Sequence, residues 1–430
     1  MGYTLKRHLQ NPSAFTKNII SVFTANSIVQ FFPLLTAPVL TRIYDPSDYG
    51  LLGIILSITG ILSVLVTGGY ANAIITAETE EEALGVLALC LKIMLWVTLG
   101  SLILVVLLAS FIGNAFHIEN AKAFIYIIPL FVFLGGLSTI FGSMANRYKL
   151  FKELSVNRII GVIINATVAI SIGLYFESVI GLFISYLCGQ LVNSLLLLWR
   201  MQQKVKLPSL QNLLRSATAT VGKKFINFPT YTLPADFINF LSNQIPILVI
   251  GSFATQPQAA IGHYNMSNRM LGLPSSLISN AIGEVFKQRA AEDYHTRGTC
   301  RPIFLKTFKA LLLSAILPFL VLVIWGGDLF AFAFGEKWRV AGFYSQLLSL
   351  MFFFRFIVSP LTYVFYIANK QKIDFWLHLL FILVGFGSLF VGLHLFESIT
   401  VSLVVFSISY SVIYFIYFIF SFKFCVKNET

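Results

Sequence analysis

The chain has 430 residues, of which 57% are hydrophobic and only 11% are charged, with a mean hydropathy of +0.82. Soluble globular chains carry about 25% charged residues, so this composition excludes an ordinary soluble enzyme or binding domain. The formal net charge of +12 would suit nucleic acid, but the basic residues are divided among several short connections rather than gathered in one patch.

The chain contains twelve apolar runs that approach or exceed the about 20 residues a helix needs to cross about 30 Å of hydrocarbon. Their connections are short, so no soluble domain is expected outside the membrane. The sequence therefore predicts an all-α polytopic membrane protein with about 12 transmembrane helices. The first run is too long for a cleaved signal peptide, and we expect it to be an uncleaved span. In chain order the runs are 18–41, 50–76, 84–112, 123–145, 155–175, 178–199, 225–252, 259–285, 303–327, 341–367, 373–394 and 398–421.

The basic residues indicate how these spans are oriented. If the N-terminus is cytoplasmic, 23 of the 30 Lys and Arg residues fall in cytoplasmic segments, four fall on the opposite side and three lie within spans. An excess of Lys and Arg on the cytoplasmic side is typical of membrane proteins. The charge distribution therefore predicts a multi-pass protein with both termini in the cytoplasm, and it leaves no basic patch for nucleic acid.

The twelve predicted spans divide into two sets of six that resemble each other. A polar segment that ends in proline recurs 213 residues later, and each copy is followed by a proline-to-glycine turn. An even number of spans separates the copies, so the repeats are parallel. The sequence predicts two six-helix lobes, 1–210 and 211–430, related by internal duplication. The matched pairs are NSIVQFFP (26–33) with NFLSNQIP (239–246), Pro46 to Gly50 with Pro257 to Gly262, ANRYKL (145–150) with ANKQKI (368–373), and FESV (176–179) with FESI (396–399).

Prolines interrupt corresponding spans of the two predicted lobes. Span one carries Pro33 and Pro38, and span seven carries Pro229, Pro234 and Pro246. Each proline removes a helical hydrogen bond and favours a kink. Prolines are also common in membrane helices without any special role. Their matched positions favour gating kinks beside a substrate path, as in transporters built from repeats.

Polar side chains follow one face of several predicted spans. In spans one, seven and eight, residues with amide or hydroxyl side chains recur at steps of three or four positions. This spacing places them on one helix face, which we expect to face water or protein. Amides and hydroxyls both donate and accept hydrogen bonds, as sugar hydroxyls require. The candidate glycan-binding residues are Asn26, Gln30, Asn239, Asn243, Asn265, Ser276 and Asn280.

Three basic residues, Lys92, Arg269 and Arg355, lie inside predicted spans. A charge at the bilayer centre costs about 2.5–3.5 kcal/mol on insertion scales, and it is retained where it faces a cavity or a partner. The alternatives are an ion pair between one arginine and Asp236, and snorkelling of Lys92 toward the interface. Asp236 neutralises only one arginine, so a positive interior remains. Because a guanidinium fork binds two phosphate oxygens, this interior suits an anionic, hydroxyl-rich substrate.

Sequence signatures of catalysis are absent from the chain. It contains no Walker A motif, no HExxH motif and no cluster of metal ligands, and its longest outer connection, around 327–340, offers few catalytic groups. The four cysteines show no spacing typical of a disulfide framework or a zinc site. We therefore expect a protein that is not an enzyme and needs no cofactor. A membrane glycan polymerase or ligase and a purely structural membrane protein are the weaker alternatives.

Two motifs resemble those of bacterial oligosaccharide-lipid flippases. These proteins form the polysaccharide transporter family, which includes the O-antigen flippases and belongs to the multidrug and lipid-flippase superfamily. The first motif is LTRIYDPSDYGLLGIILSITGILSVLVTGGYANAI (40–74), and the second, at the corresponding place in the second half, is GHYNMSNRMLGLPSSLISNAIGEVF (262–286). The acidic segment ETEEEA (78–83) departs from the family pattern, in which a basic residue is expected. In the second motif the matching positions are Gly262, Tyr264, Arg269, Pro274, Val285 and Phe286.

The resemblance implies a carrier that moves an undecaprenyl-pyrophosphate-linked oligosaccharide, such as an O-antigen unit for lipopolysaccharide, from the cytoplasmic to the periplasmic leaflet by alternating access. Arg269, Arg355 and Lys92 would then hold the pyrophosphate, and Asp236 is the candidate for ion coupling. It also implies the bacterial inner membrane, with membrane lipids and glycan polymerase or assembly proteins as partners. The alternative within the same superfamily is a multidrug or cation antiporter, which should prefer an acidic or neutral cavity.

Overall fold

The computed structural model describes residues 14–176, 178–204 and 219–427. These residues are predominantly helical, and the one strand-like pairing among them is an isolated bridge between Thr299 and Val426. The predicted all-α class is therefore confirmed. The α-helices are α1 (Ala14–Ile43), α2 (Pro46–Leu65), α3 (Ala71–Thr76), α4 (Glu80–Ala115), α5 (Ile128–Arg147), α6 (Phe151–Phe176), α7 (Ile180–Lys204), α8 (Ala219–Lys224), α9 (Leu233–Phe253), α10 (Pro257–Pro274), α11 (Asn280–Arg297), α12 (Arg301–Phe334), α13 (Arg339–Val358), α14 (Val364–Ile367), α15 (Gln371–Leu395) and α16 (Ile399–Lys423).

Short segments with a different helical pitch join some of these α-helices. Two have the wider π form, which is found mostly as single turns within α-helices and often at functional sites. The π segments are Phe228–Thr232 before α9 and Ser275–Ser279 between α10 and α11, and the 3-10 segments are Glu119–Ile127, Glu336–Trp338 and Ser359–Tyr363.

Proline and glycine set several helix ends. Pro46 begins α2 and Pro257 begins α10, in the first turn where a missing backbone N–H leaves no helical bond unmade. Gly298, with φ of 70°, follows α11, and Gly335, with φ of 99°, follows α12. Only glycine adopts positive φ without steric cost, so these two residues let the chain turn back sharply into the next helix.

Ten helical segments of the described chain are long and apolar enough to cross a membrane. They coincide with ten of the twelve predicted spans, which confirms a multi-pass membrane protein. The other two predicted spans are α1, whose described apolar part is Ser27–Ile43, and the polar-striped α10. The count of twelve spans stays a prediction.

The chain forms two compact units. The predicted lobes, 1–210 and 211–430, follow the duplication instead and stay a prediction. Unit 1 comprises the described residues of Met1–Tyr44, Ile55–Asn114 and Ile118–Leu241, and unit 2 comprises those of Asp45–Ile54, Ala115–His117 and Ser242–Thr430.

Unit 1 is held together by close helix packing around small residues. α6 and α7 cross at Gly161 and Gly189, where an added Cβ would lie 3.2 and 2.9 Å from the other glycine's carbonyl oxygen. Small residues at helix crossings are typical of membrane proteins, because they let backbones approach. Tyr44, just after α1, is fully buried, and its hydroxyl donates to the carbonyl oxygen of Ala169 in α6 at 2.8 Å.

In unit 2 the first turns of α2 and α10 pack backbone against backbone. A Cβ on Gly50 would lie 1.7 Å from the carbonyl oxygen of Gln258, and a Cβ on Gly262 would lie 1.8 Å from that of Pro46. These are the two proline-to-glycine turns that the sequence pairs, and each glycine lies against the other turn. We call this contact the glycine crossing.

A cluster of large side chains fills unit 2 where α12 begins. Phe304 is fully buried, and its ring centroid lies 5.7 Å from that of Phe418 and 5.8 Å from that of Phe422. Cys300 and Cys425 are neighbours in this cluster as free thiols, and the Cys300 N–H donates to the Cys425 carbonyl oxygen at 2.8 Å. The buried members of this aromatic cluster are Phe286, Ala290, Tyr294, Cys300, Phe304, Leu361, Val364, Ile367 and Cys425.

Candidate substrate-binding site

Arg269 lies on α10 with an exposed side-chain surface, although protein atoms surround it. A residue that is both surrounded and accessible lines a concave part of the protein surface. Its polar neighbour is Tyr49 of α2, whose ring packs edge-on against Trp338 at 5.3 Å. Within the described residues no carboxylate forms an ion pair with Arg269. The arginine therefore keeps an accessible positive charge on a helix that the sequence predicts to span the membrane.

Arg355, on α13 of the same unit, lies in a different environment. It is half-buried, and its guanidinium carbon lies 5.6 Å from the centroid of the Phe352 ring. Three phenols, Tyr264, Tyr410 and Tyr414, are close enough to interact with it electrostatically. Aromatic faces attract cations, so rings rather than carboxylates accommodate this charge among the residues described. α10 packs against α13, so both arginines belong to neighbouring helices of unit 2.

The remaining charged candidates lie in unit 1. Lys92 is half-buried on α4, and Asp236 is exposed near the start of α9. Both arginines belong to unit 2, whereas Asp236 belongs to unit 1. The ion pair between one arginine and Asp236 therefore stays a prediction. The snorkelling of Lys92 also stays a prediction.

The polar stripe residues are divided between the two units. Gln30 of α1 is half-buried and Asn239 of α9 is exposed, both in unit 1. Asn243 is exposed in unit 2, and Asn265 lies so close to α2 that a Cβ on Gly53 would approach its Nδ2 to 2.3 Å. The stripe of α10 therefore faces protein at Asn265, whereas it is exposed at Arg269. The side chains of Asn26, Ser276 and Asn280 lie outside the described residues.

The prolines differ in their effect on the helices that carry them. Pro33 and Pro38 lie inside α1, and Pro246 lies inside α9, without a change of helix type. Pro229 lies inside the π segment Phe228–Thr232, and Pro234 follows this segment after Leu233. A proline lacks its N–H and its ring clashes with the carbonyl group four residues earlier, which favours a wider turn at that place. The interruption in span seven therefore lies at Pro234, and its role in gating stays a prediction.

No group of three or more His, Cys, Asp or Glu side chains in the described ranges is arranged to hold a metal ion. The sequence analysis did miss a charged network at the acidic segment 78–83. The Nζ atom of Lys224 in α8 lies 2.5 Å from Glu82 Oε1 and 3.5 Å from Glu78 Oε2. The hydrogen bond to Glu82 raises the pKa of Lys224. Arg147 of α5 donates to the carbonyl oxygens of Ala77 and Thr79 at 2.6 and 3.1 Å. Basic residues from elsewhere in unit 1 thus bind the acidic segment, a pairing that residue spacing does not reveal.

Comparison with known proteins now decides the family. A sequence model of the family described as "Polysaccharide biosynthesis protein" matches residues 39–342, well over half of the chain. The chain belongs to this family. The resemblance noted in the sequence is thereby confirmed.

The chain is also similar in sequence to two named proteins. The succinoglycan biosynthesis transport protein ExoT of Rhizobium meliloti (strain 1021) is 24% identical over 359 residues, covering 80% of this chain and 67% of ExoT. The teichuronic acid biosynthesis protein TuaB of Bacillus subtilis (strain 168) is 26% identical over 155 residues, which are 36% of this chain and 32% of TuaB.

Solved structures share the fold of this family member. The lipid II flippase MurJ in an inward closed conformation superposes with a TM-score of 0.75 at 14% identity, covering 94% of this chain and 87% of MurJ. An inward-facing multidrug resistance MATE transporter of the MOP superfamily gives a TM-score of 0.65 at 13% identity, covering 95% and 100%. The family and its relative ExoT, a transport protein, confirm the expectation that the chain is a transporter rather than an enzyme.

Proposed function

We propose that this protein moves an undecaprenyl-pyrophosphate-linked oligosaccharide from the cytoplasmic to the periplasmic leaflet of the bacterial inner membrane. The passenger is an O-antigen unit or a similar surface polysaccharide unit, and two six-helix lobes with cytoplasmic termini open alternately to either side. The family, the transport role in the name of ExoT and the fold shared with the flippase MurJ support this proposal. Glycan polymerase and assembly proteins are the proposed partners.

The observation that carries the proposal is the accessible, carboxylate-free charge of Arg269 on the polar face of α10. A guanidinium stays charged in any protein environment, so a membrane helix retains one only where it meets water or an anion. A pyrophosphate supplies oxygens that the guanidinium fork binds in pairs. Arg355 and Lys92 are the further proposed ligands of the pyrophosphate.

The sugars and the coupling ion have proposed sites as well. The amide and hydroxyl stripes of α1, α9 and α10 would hydrogen-bond the sugar hydroxyls, while the lipid chain stays in the bilayer. Asp236, exposed on α9, is the proposed proton or cation site, and Asp236→Asn should then remove any dependence of transport in vesicles on a pH or sodium gradient. Transport that ignores both gradients in the unaltered protein would exclude this coupling.

A multidrug or cation antiporter is the second candidate, because the fold is shared with a MATE transporter. A cationic passenger is repelled by an accessible arginine, whereas an anionic one is attracted to it. Drug-resistance measurements on an expressing strain separate the two functions, since only an antiporter raises resistance.

The test is complementation of a strain that lacks its own flippase for a matching glycan. Removing a hydrogen-bonding partner of a charged group costs about 1.5–3 kcal/mol, or roughly ten- to hundredfold in binding. We therefore expect Arg269→Ala to reduce surface polysaccharide about tenfold or more. Arg269→Lys should retain an intermediate level, because lysine keeps the charge and loses the fork.

Arg289→Ala is the matched control, because Arg289 is an exposed arginine of α11 outside the ten candidate spans. Immunoblots of membranes must show equal amounts of each variant. Normal surface polysaccharide in both Arg269→Ala and Arg355→Ala would refute the proposed pyrophosphate site.

A further inference from the structure

The start of α15 carries a buried carboxylate that lies among three titratable side chains. Asp374 exposes only 11% of its side chain, whereas His378, one turn later, exposes 63%. The hydroxyl of Tyr417 in α16 lies 3.2 Å from Asp374 Oδ1, and that of Tyr366 in α14 lies 3.4 Å from Oδ2. His378 Nδ1 lies 3.5 Å from Asp374 Oδ1. Three helices of unit 2 therefore meet at one carboxylate.

No permanent positive charge of the described chain forms an ion pair with Asp374. Two lysines flank the start of α15, and neither forms an ion pair with Asp374. Lys370 Nζ lies 5.9 Å from the centroid of the Phe424 ring, and Lys372 is exposed. The other titratable groups at this place are phenols, Tyr363 stacked on Tyr366 from the α14 side and Tyr414 packed on Phe381 from α16. A buried charge is costly unless it is paired. The group that can pair with Asp374 is therefore the His378 imidazole, and only when it is protonated.

The hydrogen bonds around His378 depend on its protonation. Its Nδ1 lies 2.8 Å from the Tyr417 hydroxyl and 3.0 Å from the Asp374 carbonyl oxygen. A phenol has a single proton to donate, and a neutral imidazole carries its proton on one nitrogen only. The neutral ring thus allows two arrangements: Tyr417 donates to Nδ1, or Nδ1–H donates to Asp374. In the charged ring Nδ1 always carries a proton, so Nδ1–H donates to the Asp374 carbonyl oxygen or to the Tyr417 oxygen, and the Tyr417 hydroxyl can donate only to Asp374.

The chemistry of the ligands and their access both favour a proton over a metal cation. Sodium, calcium and magnesium sites are built from oxygen ligands, whereas a ring nitrogen faces Asp374 here. The exposed side of His378 lets a proton arrive from outside the cluster. Tyr366 also lines a cavity of about 240 Å³, which is large enough for several water molecules. The buried carboxylate is thus connected to the surroundings through both His378 and Tyr366.

We propose that Asp374, His378 and Tyr417 form a proton-binding site of unit 2. The proton binds the imidazole of His378, the carboxylate of Asp374 compensates its charge, and the hydroxyl of Tyr417 turns from the imidazole to the carboxylate. Proton uptake thereby ties α16 to α15 through a hydrogen bond from Tyr417 to Asp374. This site uses neither Asp236 nor any of the proposed pyrophosphate ligands, and it does not depend on the passenger being a lipid-linked glycan.

Nuclear magnetic resonance of the full chain in bilayers, with ring-15N-labelled histidine, tests the site. The chain has six histidines, and His378→Gln identifies the resonance of His378. We expect this resonance to change from that of the neutral ring to that of the protonated ring as the pH is lowered. Asp374→Asn, which keeps the size of the side chain but removes its negative charge, should lower the pH at which the ring becomes protonated. Tyr417→Phe should also move this pH, although the phenyl ring still packs against Phe365 and Phe381.

His394 is the internal control, because it lies at the other end of α15 and stacks on Phe390 at 5.1 Å. Its resonance should be the same in the unaltered protein and in both variants at every pH. If Asp374→Asn does not fold, the comparison rests on Tyr417→Phe. A His378 midpoint that neither variant moves, or a His378 resonance that does not titrate, would overturn the proposal. Failure of polysaccharide export in Arg269→Ala bears on neither result.

Discussion

At the end of unit 2 where α12 finishes, backbone packs directly on backbone, whereas at the end where α12 begins, large rings and hydrogen-bonded side chains fill the interior. The first end contains the glycine crossing, with Gly50 and Gly262 each against a carbonyl oxygen. The second contains the aromatic cluster around Phe304 and, nearby, the polar group around Asp374. Backbone contacts cannot rotate away from an added atom, while rings can repack and titratable groups can change charge. The comparison suggests a fixed end and an adjustable end.

One methyl group added at the glycine crossing tests the fixed end of unit 2 most severely. In Gly262→Ala the new Cβ would meet the carbonyl oxygen of Pro46 at 1.8 Å, so α2 and α10 must separate. Ordinary overpacking costs about 1–3 kcal/mol, and we expect a larger loss because the obstacle is backbone. Little folded protein should remain, as measured by thermal unfolding in detergent.

Gly387→Ala is the matched control for this experiment. Gly387 lies in a helix of the same unit, and an added Cβ there would have no neighbour within 4 Å. Alanine is the better helix former by about 0.5–1 kcal/mol, so this variant should be unchanged or slightly more stable. Equal stability of Gly262→Ala and Gly387→Ala would show that the crossing is not fixed.

The second experiment removes a ring from the adjustable end. Phe304→Ala leaves a cavity among Phe286, Phe418 and Phe422. Replacing a buried phenylalanine with alanine lowers the unfolding free energy by about 3–5 kcal/mol. We expect a loss toward the lower value, because the surrounding rings can partly fill the space. The measurement is the unfolding free energy in a denaturing-detergent titration.

Phe332→Ala serves as its control, because Phe332 lies on the same helix and exposes 87% of its surface. This variant should lose less than about 0.5 kcal/mol, as is usual for substitutions away from packed or paired groups. If Phe304→Ala is as stable as Phe332→Ala, the aromatic cluster does not hold this end together.

The sequence predicted some of these features well because they are local. The two proline-to-glycine turns follow from residue order, and so do the helical periodicity of α10 and the position of Arg269 within it. Features that join distant segments were missed. The spacing of Asp374 and His378 places both on one helix face, but Tyr417 and Tyr366 reach them only through folding. Lys224 likewise finds Glu82 across 142 positions, which no local pattern encodes.

The smallest expected effect belongs to an ion pair beside the glycine crossing. Lys337 Nζ lies 2.7 Å from Asp45 Oδ1, but the two side chains expose 45% and 59% of their surfaces. Exposed ion pairs contribute about 0–1 kcal/mol, and salt screens them. The neighbouring Trp338 is fully buried and packs against Tyr49, so a ring already fixes this connection in place.

Lys337→Met should therefore lower the unfolding free energy by less than about 1 kcal/mol, and the difference should shrink at about 1 M salt. Lys372→Met is its control, because Lys372 is exposed and has no ion pair within the described residues. A loss above about 2 kcal/mol that persists in high salt would mean that charge, and not backbone packing, fixes this end. The distinction matters for transport, because an exposed ion pair can open and close at little cost. A glycine crossing opens only when two helices move apart together.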